Sequence, residues 1–163
     1  MPAPQPYWFA LKVFYGKASR VEEDFRRAGH DTYLPAIIKA LLFVHCTEAE
    51  LRRYKATHET AMLYYTDPAS EDTSRPGRIP DREMEVFRIA TTIAATDPGA
   101  IYLGSDTARL CRGDRVRVTE GLYKGAEGYV KRIRHARKVL VAIQGVAVVA
   151  LSNIHPDFLE KID

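Results

Sequence analysis

Five cations crowd eight consecutive positions in Lys131-Arg132-Ile133-Arg134-His135-Ala136-Arg137-Lys138. Ammonium and guanidinium groups at that density attract the phosphates of nucleic acid or the carboxylates of an acidic protein, through contacts that salt weakens. A solvated basic hairpin is the plain alternative for such a run. Covalent chemistry has no comparable constellation. His30, His45, His58, His135 and His155 show no metal-ligand spacing. The adjacent carboxylates Glu22, Glu23 and Asp24 have the character of a solvated helix face. Gly121, Gly125 and Gly128 lie between two strand-like runs and lack the Gly-Lys-Ser/Thr of a phosphate-binding loop. These residue types point to binding rather than catalysis, with no metal and no cofactor expected.

The totals fit that picture. The formal charge of +3 over 163 residues is unevenly spread. From Arg109 onward there are 11 Lys and Arg against 6 Asp and Glu; residues 1–108 hold 13 against 15. The basic character belongs to the C-terminal third, which permits nucleic-acid contact without requiring it. Cys46 and Cys111 stand far apart without nearby ligand partners, as free thiols in a reducing cytoplasm do. No run approaches the ~18 apolar residues of a membrane span, so no membrane partner is expected. The opening Met1-Pro-Ala-Pro-Gln-Pro6 has no basic or apolar signal segment and is expected to be a loose tail.

The elements that must position these residues follow from periodicity. Tyr7 to Tyr15 is apolar on both faces apart from Lys12, a two-sided strand ended by Gly16. Ala18, Val21, Phe25 and Ala28 share one face of a helix over 17–28, with Gly29 where a C-cap glycine belongs. Strands are expected at 31–38, 41–47 and 61–66. Between the last two, Thr47-Glu-Ala-Glu50 has capping-box spacing, placing a helix from Glu48 to about His58. A loop rich in Pro, Ser, Asp and Arg covers 67–79, and Asp81 starts a third helix with Met84, Phe87, Ala90 and Ile93 on its apolar face. Thr96-Asp-Pro-Gly99 is a turn. Beyond Arg109 every segment is strand-like: 115–119, 127–133, 139–143, 147–151 and 158–162. The fold class is α+β: an N-terminal antiparallel sheet with flanking helices over 7–96, a linker at 97–108, and a small SH3-like β-barrel at 109–163.

Gly121-Leu-Tyr-Lys-Gly-Ala-Glu-Gly128, opened by Gly113-Asp114, resembles the KOW motif found in transcription elongation factors and some ribosomal proteins. Upstream, Trp8-Phe-Ala-Leu-Lys-Val-Phe-Tyr-Gly16, Thr32-Tyr-Leu-Pro35 and Leu42-Phe-Val44 resemble the N-terminal NGN domain of the NusG family. The order and spacing of these stretches make the whole of 7–163 similar to NusG-type factors. Leu41-Leu-Phe-Val-His-Cys-Thr-Glu-Ala-Glu-Leu51 and the Ile79-Pro-Asp81 helix start look most like the UpxY-type specialised paralogues. The family's long basic hairpin loop has almost no room here, since Ile38-Lys39-Ala40-Leu41 joins two strands; it is either truncated or partly omitted.

What the resemblance implies is a non-enzymatic, cytoplasmic elongation factor that binds RNA polymerase through its clamp helices. In the specialised paralogues this means antitermination in a long polysaccharide-type operon. The alternatives are a general elongation or termination factor, or a ribosome-associated RNA-binding protein. By position, the polymerase-binding residues are Lys12, Leu41, Phe43, Leu63 and Tyr65. Charging Phe43 is expected to remove polymerase binding while leaving the fold intact. The family's patch for non-template DNA maps to Lys17, Arg20, Thr57 and His58, beside the aromatic rings of Phe14 and Tyr15, which suit base stacking. In the barrel, Gly113, Gly121, Lys124, Gly125 and Gly128 carry the KOW motif. Its basic rim of Lys131, Arg132, Arg134, Arg137 and Lys138 would meet nascent RNA or a ribosomal protein.

Overall fold

The computed structural model describes residues 4–58, 61–67, 70–72 and 74–162. The start of the expected tail and parts of the 67–79 loop lie outside the described residues. The chain divides into two compact units, the first running to Asp81 and the second starting at Arg82.

In the first unit β1 (Tyr7–Val13) is the middle of a four-stranded antiparallel sheet. It lies between β3 (Leu41–Cys46) and β4 (Met62–Tyr64), with β2 (Asp31–Tyr33) outside β3. β1 is shorter than its apolar run because Tyr15 and Gly16 both turn to positive φ, at 60° and 67°. β2 stops well before Ile38, since Pro35 cannot donate to the ladder. Residues 34–40 connect it to β3 through a tight path in which Ala40 takes φ 65° and accepts the Val13 N–H.

α1 (Ala18–Arg27) buries Val21 and Phe25 on the face expected from their spacing. α2 (Glu48–Thr57) starts with the capping box: Thr47 Oγ1 accepts the Glu50 N–H, and Glu50 Oε1 accepts the Thr47 N–H at 3.0 Å. Phe9, Leu11 and Val13 from β1 meet Leu42, Val44 and Cys46 from β3, with Val21, Phe25 and Leu51 from the helices. All of these are buried, and they form the core of the unit.

The second unit begins with α3 (Asp81–Ala94), which buries Met84, Phe87 and Ala90 of its expected apolar face, while Ile93 is only half-buried and Ala94 is buried instead. Its sheet is a six-stranded antiparallel ladder built on consecutive hairpins. The strands are β5 (Ile101–Tyr102), β6 (Arg115–Val118), β7 (Glu127–Ile133), β8 (Ala136–Ile143), β9 (Ala147–Ala150) and β10 (Leu159–Ile162), in the order β10-β6-β7-β8-β9-β5. The alternating runs beyond Arg109 are strands nearly residue for residue.

Two differences concern the segment expected as a linker. Residues 100–108 contribute β5, which pairs with β9, and the start of a short helix α4 (Thr107–Leu110) that buries Leu110. α3 and the Thr96–Gly99 turn fall in this second unit rather than closing the first. Polar contacts account for it. Arg82 pairs with Glu127 at 3.2 Å, Glu83 accepts the Gln144 N–H, and Asp97 accepts the Tyr123 hydroxyl at 2.6 Å.

Candidate nucleic-acid interface

The first unit draws two distant stretches of chain around one cavity. Its lining includes Lys17, Arg20 and Asp24 from the α1 segment and Ala56, Thr57 and His58 from the end of α2, and its volume is about 460 Å³. The turn between β1 and α1 sets the first group. Phe14 accepts the Lys17 N–H at 3.2 Å, closing a turn whose two middle residues, Tyr15 and Gly16, are both left-handed. Glycine takes that conformation freely, whereas a tyrosine there costs about 1–2 kcal/mol. Tyr15 is 79% exposed, two residues before Lys17. Phe14 is half-buried, with its N–H donated to Ala61 at 2.7 Å and the Lys12 ammonium 5.6 Å from its ring centroid.

α2 supplies the second group. Its last turn closes when His58 donates its N–H to the Tyr54 carbonyl at 2.9 Å. The Thr57 hydroxyl, exposed, bonds the Arg53 carbonyl. His58 Nε2 lies 3.1 Å from Asp24 Oδ2, and that buried nitrogen has no partner in hydrogen-bonding geometry. Lys17 and Arg20 thus bring two positive charges to the cavity and Asp24 one negative charge. Two cations and a hydroxyl around one cavity suit a phosphate backbone, while Phe14 and Tyr15, assigned to the same patch, lie outside its lining.

All four residues assigned to this patch by resemblance, Lys17, Arg20, Thr57 and His58, therefore line a single cavity. Sequence reasoning missed Asp24, placed on a solvated face, and a neighbouring cavity lined by Arg52, Lys55, Ala56 and Tyr64. The signal was present in the spacing of Arg52, Lys55 and Ala56, which puts them on one face of α2 beside the first cavity.

The residues assigned to polymerase share a face of the first sheet but differ in access. The register sets Lys12 opposite Leu41 on one side and Leu63 on the other. Phe43 lies opposite Ala10, and Tyr65 donates its N–H to Ala10 from beyond the end of β4. Lys12 and Leu63 are exposed, Leu63 by 49%, and Tyr65 is half-buried. Leu41 and Phe43 are buried, with Tyr33 stacked on Phe43 at 6.2 Å between centroids. The expectation that Phe43 can carry a charge without loss of the fold is therefore corrected, because a carboxylate would be buried among apolar groups.

In the second unit the glycine-rich loop is built as a tight turn. Lys124 donates to Gly121, Gly125 donates to Val118, and Lys124 points to solvent. Gly128 allows a close approach of β7 to β8, since a Cβ there would collide with the Leu140 carbonyl. Gly113 takes φ 101° before β6. Within this loop Tyr123 is buried and bonded to Asp97. Burial alone would raise the Asp97 carboxyl, but hydrogen bonds from Ser152, Tyr123 and Gly99 outweigh it and hold that carboxyl below its ordinary range. Glu127 is lowered likewise: Arg117 and Arg82 outweigh its burial. Lys131, Arg132, Arg134, Arg137 and Lys138 gather around the β7–β8 hairpin, with Arg132, Arg134 and Arg137 exposed.

Among the described residues no group of three or more His, Cys, Asp or Glu could hold a metal ion, and no helix is long and apolar enough to cross a membrane. No protein-family model and no curated protein matches the chain. Among solved structures, a chain in the crystal structure of the MjSpt4:Spt5 complex, conformation B, is similar at a TM-score of 0.36 and 13% identity, over 95% of this chain and 96% of that one. A likeness at that level assigns no family.

Proposed function

We propose that this protein is a non-enzymatic transcription elongation factor of the NusG type, which holds RNA polymerase with the first sheet and an exposed DNA strand with the cavity beside Tyr15. The observation that carries the proposal is the convergence of Lys17, Arg20, Thr57 and His58 on one cavity from separate helices. The exposed Tyr15, two residues before Lys17 along the chain, supports the same use, since an exposed ring is free to stack on a base. Along the chain, an αβ unit precedes an antiparallel sheet with a KOW-like loop, the order that NusG-type factors have. Within that class we favour antitermination in a long operon of the polysaccharide type, on the Leu41–Leu51 and Ile79–Asp81 resemblances. Such a factor would work in the cytoplasm by bridging the clamp and disfavouring the paused polymerase.

The test is binding of the intact chain to a labelled single-stranded DNA and to an elongation complex assembled with it. Each phosphate contact on a single strand adds about 0.7 to the slope of log affinity against log salt. Lys17→Ala with Arg20→Ala should therefore flatten the slope by about 1.4. Tyr15→Ala should cost about 1–3 kcal/mol with little change in slope. On the polymerase side the informative variant is Leu63→Asp, whose side chain is exposed, and it should abolish capture by the elongation complex. An unchanged salt slope in the double variant together with normal capture by Leu63→Asp would sink the proposal.

A further inference from the structure

The β7–β8 hairpin is built against its own stability. Its two-residue turn places Arg134 and His135 at φ 50° and 69°, a conformation that Asn-Gly takes far more readily. Next to the turn the register sets Arg132 opposite Arg137 and Lys131 opposite Lys138. Like charges directly opposite destabilise a ladder. Among the described residues Arg132, Arg134, Arg137 and Lys138 have no carboxylate within ion-pair distance.

On the face of the sheet shared by Arg132 and Arg137 lies a cavity of about 200 Å³. Val116, Val130, Val139 and Leu159 form its wall. Arg137, Lys138 and Lys161 border it, and among the described residues the one carboxylate in its lining, Asp114, is 3.5 Å from Lys161. The volume is several times the ~30 Å³ share of a liquid water, enough for one apolar side chain.

We propose that this cavity binds an acidic segment of a partner protein. One aliphatic side chain of the segment enters between the valines, and flanking carboxylates pair with Arg137 and Arg132. The wall decides against nucleic acid as the occupant. Cations alone would serve phosphate equally well, but none of the described lining residues is aromatic, so a base finds no ring among them to stack on. An aliphatic pocket inside a cationic rim matches a Leu flanked by Glu. The hairpin's opposed charges are relieved when such a segment binds, which accounts for a turn and a register that weaken the free fold.

The test is fluorescence anisotropy of the intact chain with four labelled probes: a short Glu-rich peptide with a central Leu, the same peptide with Ser for Leu, its Gln-for-Glu counterpart with Leu, and an oligouridylate of equal charge. The Glu-Leu peptide should bind tightest. Loss of the Leu should cost about tenfold, in keeping with burial of one aliphatic side chain. Arg132→Glu, which can pair with Arg137, should raise the thermal midpoint and weaken the Glu-Leu peptide about tenfold, the size expected for reversing one charge among several. Val130→Phe should fill the cavity and erase only the Leu advantage. Oligouridylate binding as tightly as the Glu-Leu peptide, equal affinity for the Leu and Ser peptides, or no binding of any probe would each overturn the proposal. Peptide binding should survive Lys17→Ala with Arg20→Ala, so the outcome is separable from the DNA reading of the first unit.

Discussion

Tyr123→Phe removes one oxygen and tests how the KOW-like loop is held. The Tyr123 hydroxyl donates to Asp97 Oδ2 at 2.6 Å from a side chain only 3% exposed. A hydrogen bond to an ionised group contributes about 1.5–3 kcal/mol. Asp97 keeps the Gly99 N–H at 2.9 Å and its bond with Ser152 after the change, so the loss belongs in the lower half, about 2 kcal/mol. For a chain of this size that corresponds to a fall of about 4–8 °C in thermal midpoint. Acid adds a second signature. The Asp97 carboxyl is held below its ordinary value in the folded chain, so its contribution is present above the unfolded value of about 3.9 and fades as pH falls through the folded one. The deficit of Tyr123→Phe should therefore be full at neutral pH and shrink in strong acid. The phenol itself, raised first by burial and then by Asp97, stays a donor through the alkaline range. Thermal melts of the whole chain at neutral and acid pH measure both effects, and hydrogen exchange at the Gly125 and Val148 amides locates them. A fall of less than about 1 °C, well under the 4–8 °C expected, or a deficit unchanged by acid, would refute the reasoning.

Three other expectations follow from the backbone and the core. Ala40→Gly should stabilise the first unit by up to about 1 kcal/mol in urea titration, because Ala40 sits at φ 65°. Gly128→Ala should cost upwards of about 3 kcal/mol, as its new methyl meets the Leu140 backbone, and the soluble yield should drop accordingly. Burial, and then the charge of Glu50, push the Cys46 thiol up to about 12; thiol-labelling of the native chain should leave Cys46 unmodified at neutral pH and modify it on unfolding.

Much of this architecture is legible in residue patterns because the relevant signals are local. Thr47 and Glu50 announce the start of α2 by spacing alone, and both reciprocal bonds form. The valine alternation beyond Arg115 gives β6 to β9 within a few residues. Shorter elements have no period to detect: β5 is two residues long and α4 four, inside a stretch that composition marks only as connecting chain. Access on the first sheet was hidden for a related reason. Leu41-Leu-Phe-Val-His-Cys46 is apolar on both faces, so alternation cannot say which side is open, and Phe43 proves buried. The cavity beside Tyr15 joins residues some forty positions apart. No local pattern could have joined Arg20 to His58 or shown Asp24 between them, and their grouping came from positional resemblance.

The pairing of β5 with β9 has a practical consequence for anyone dividing this chain. Ile101 and Tyr102 lie opposite Ala150 and Val149, and Leu103 donates to Val148 at 2.8 Å. Ala147-Val-Val-Ala-Leu151 is buried throughout, uncharged and free of proline, the composition from which intermolecular β-ladders grow. A fragment cut at residue 109 would keep every hairpin yet leave that strand with an open edge, and it should associate with itself as concentration rises. One cut at residue 82, where the second unit begins, carries both α3 and the guard strand β5 and should stay dispersed, a difference that light scattering would read directly.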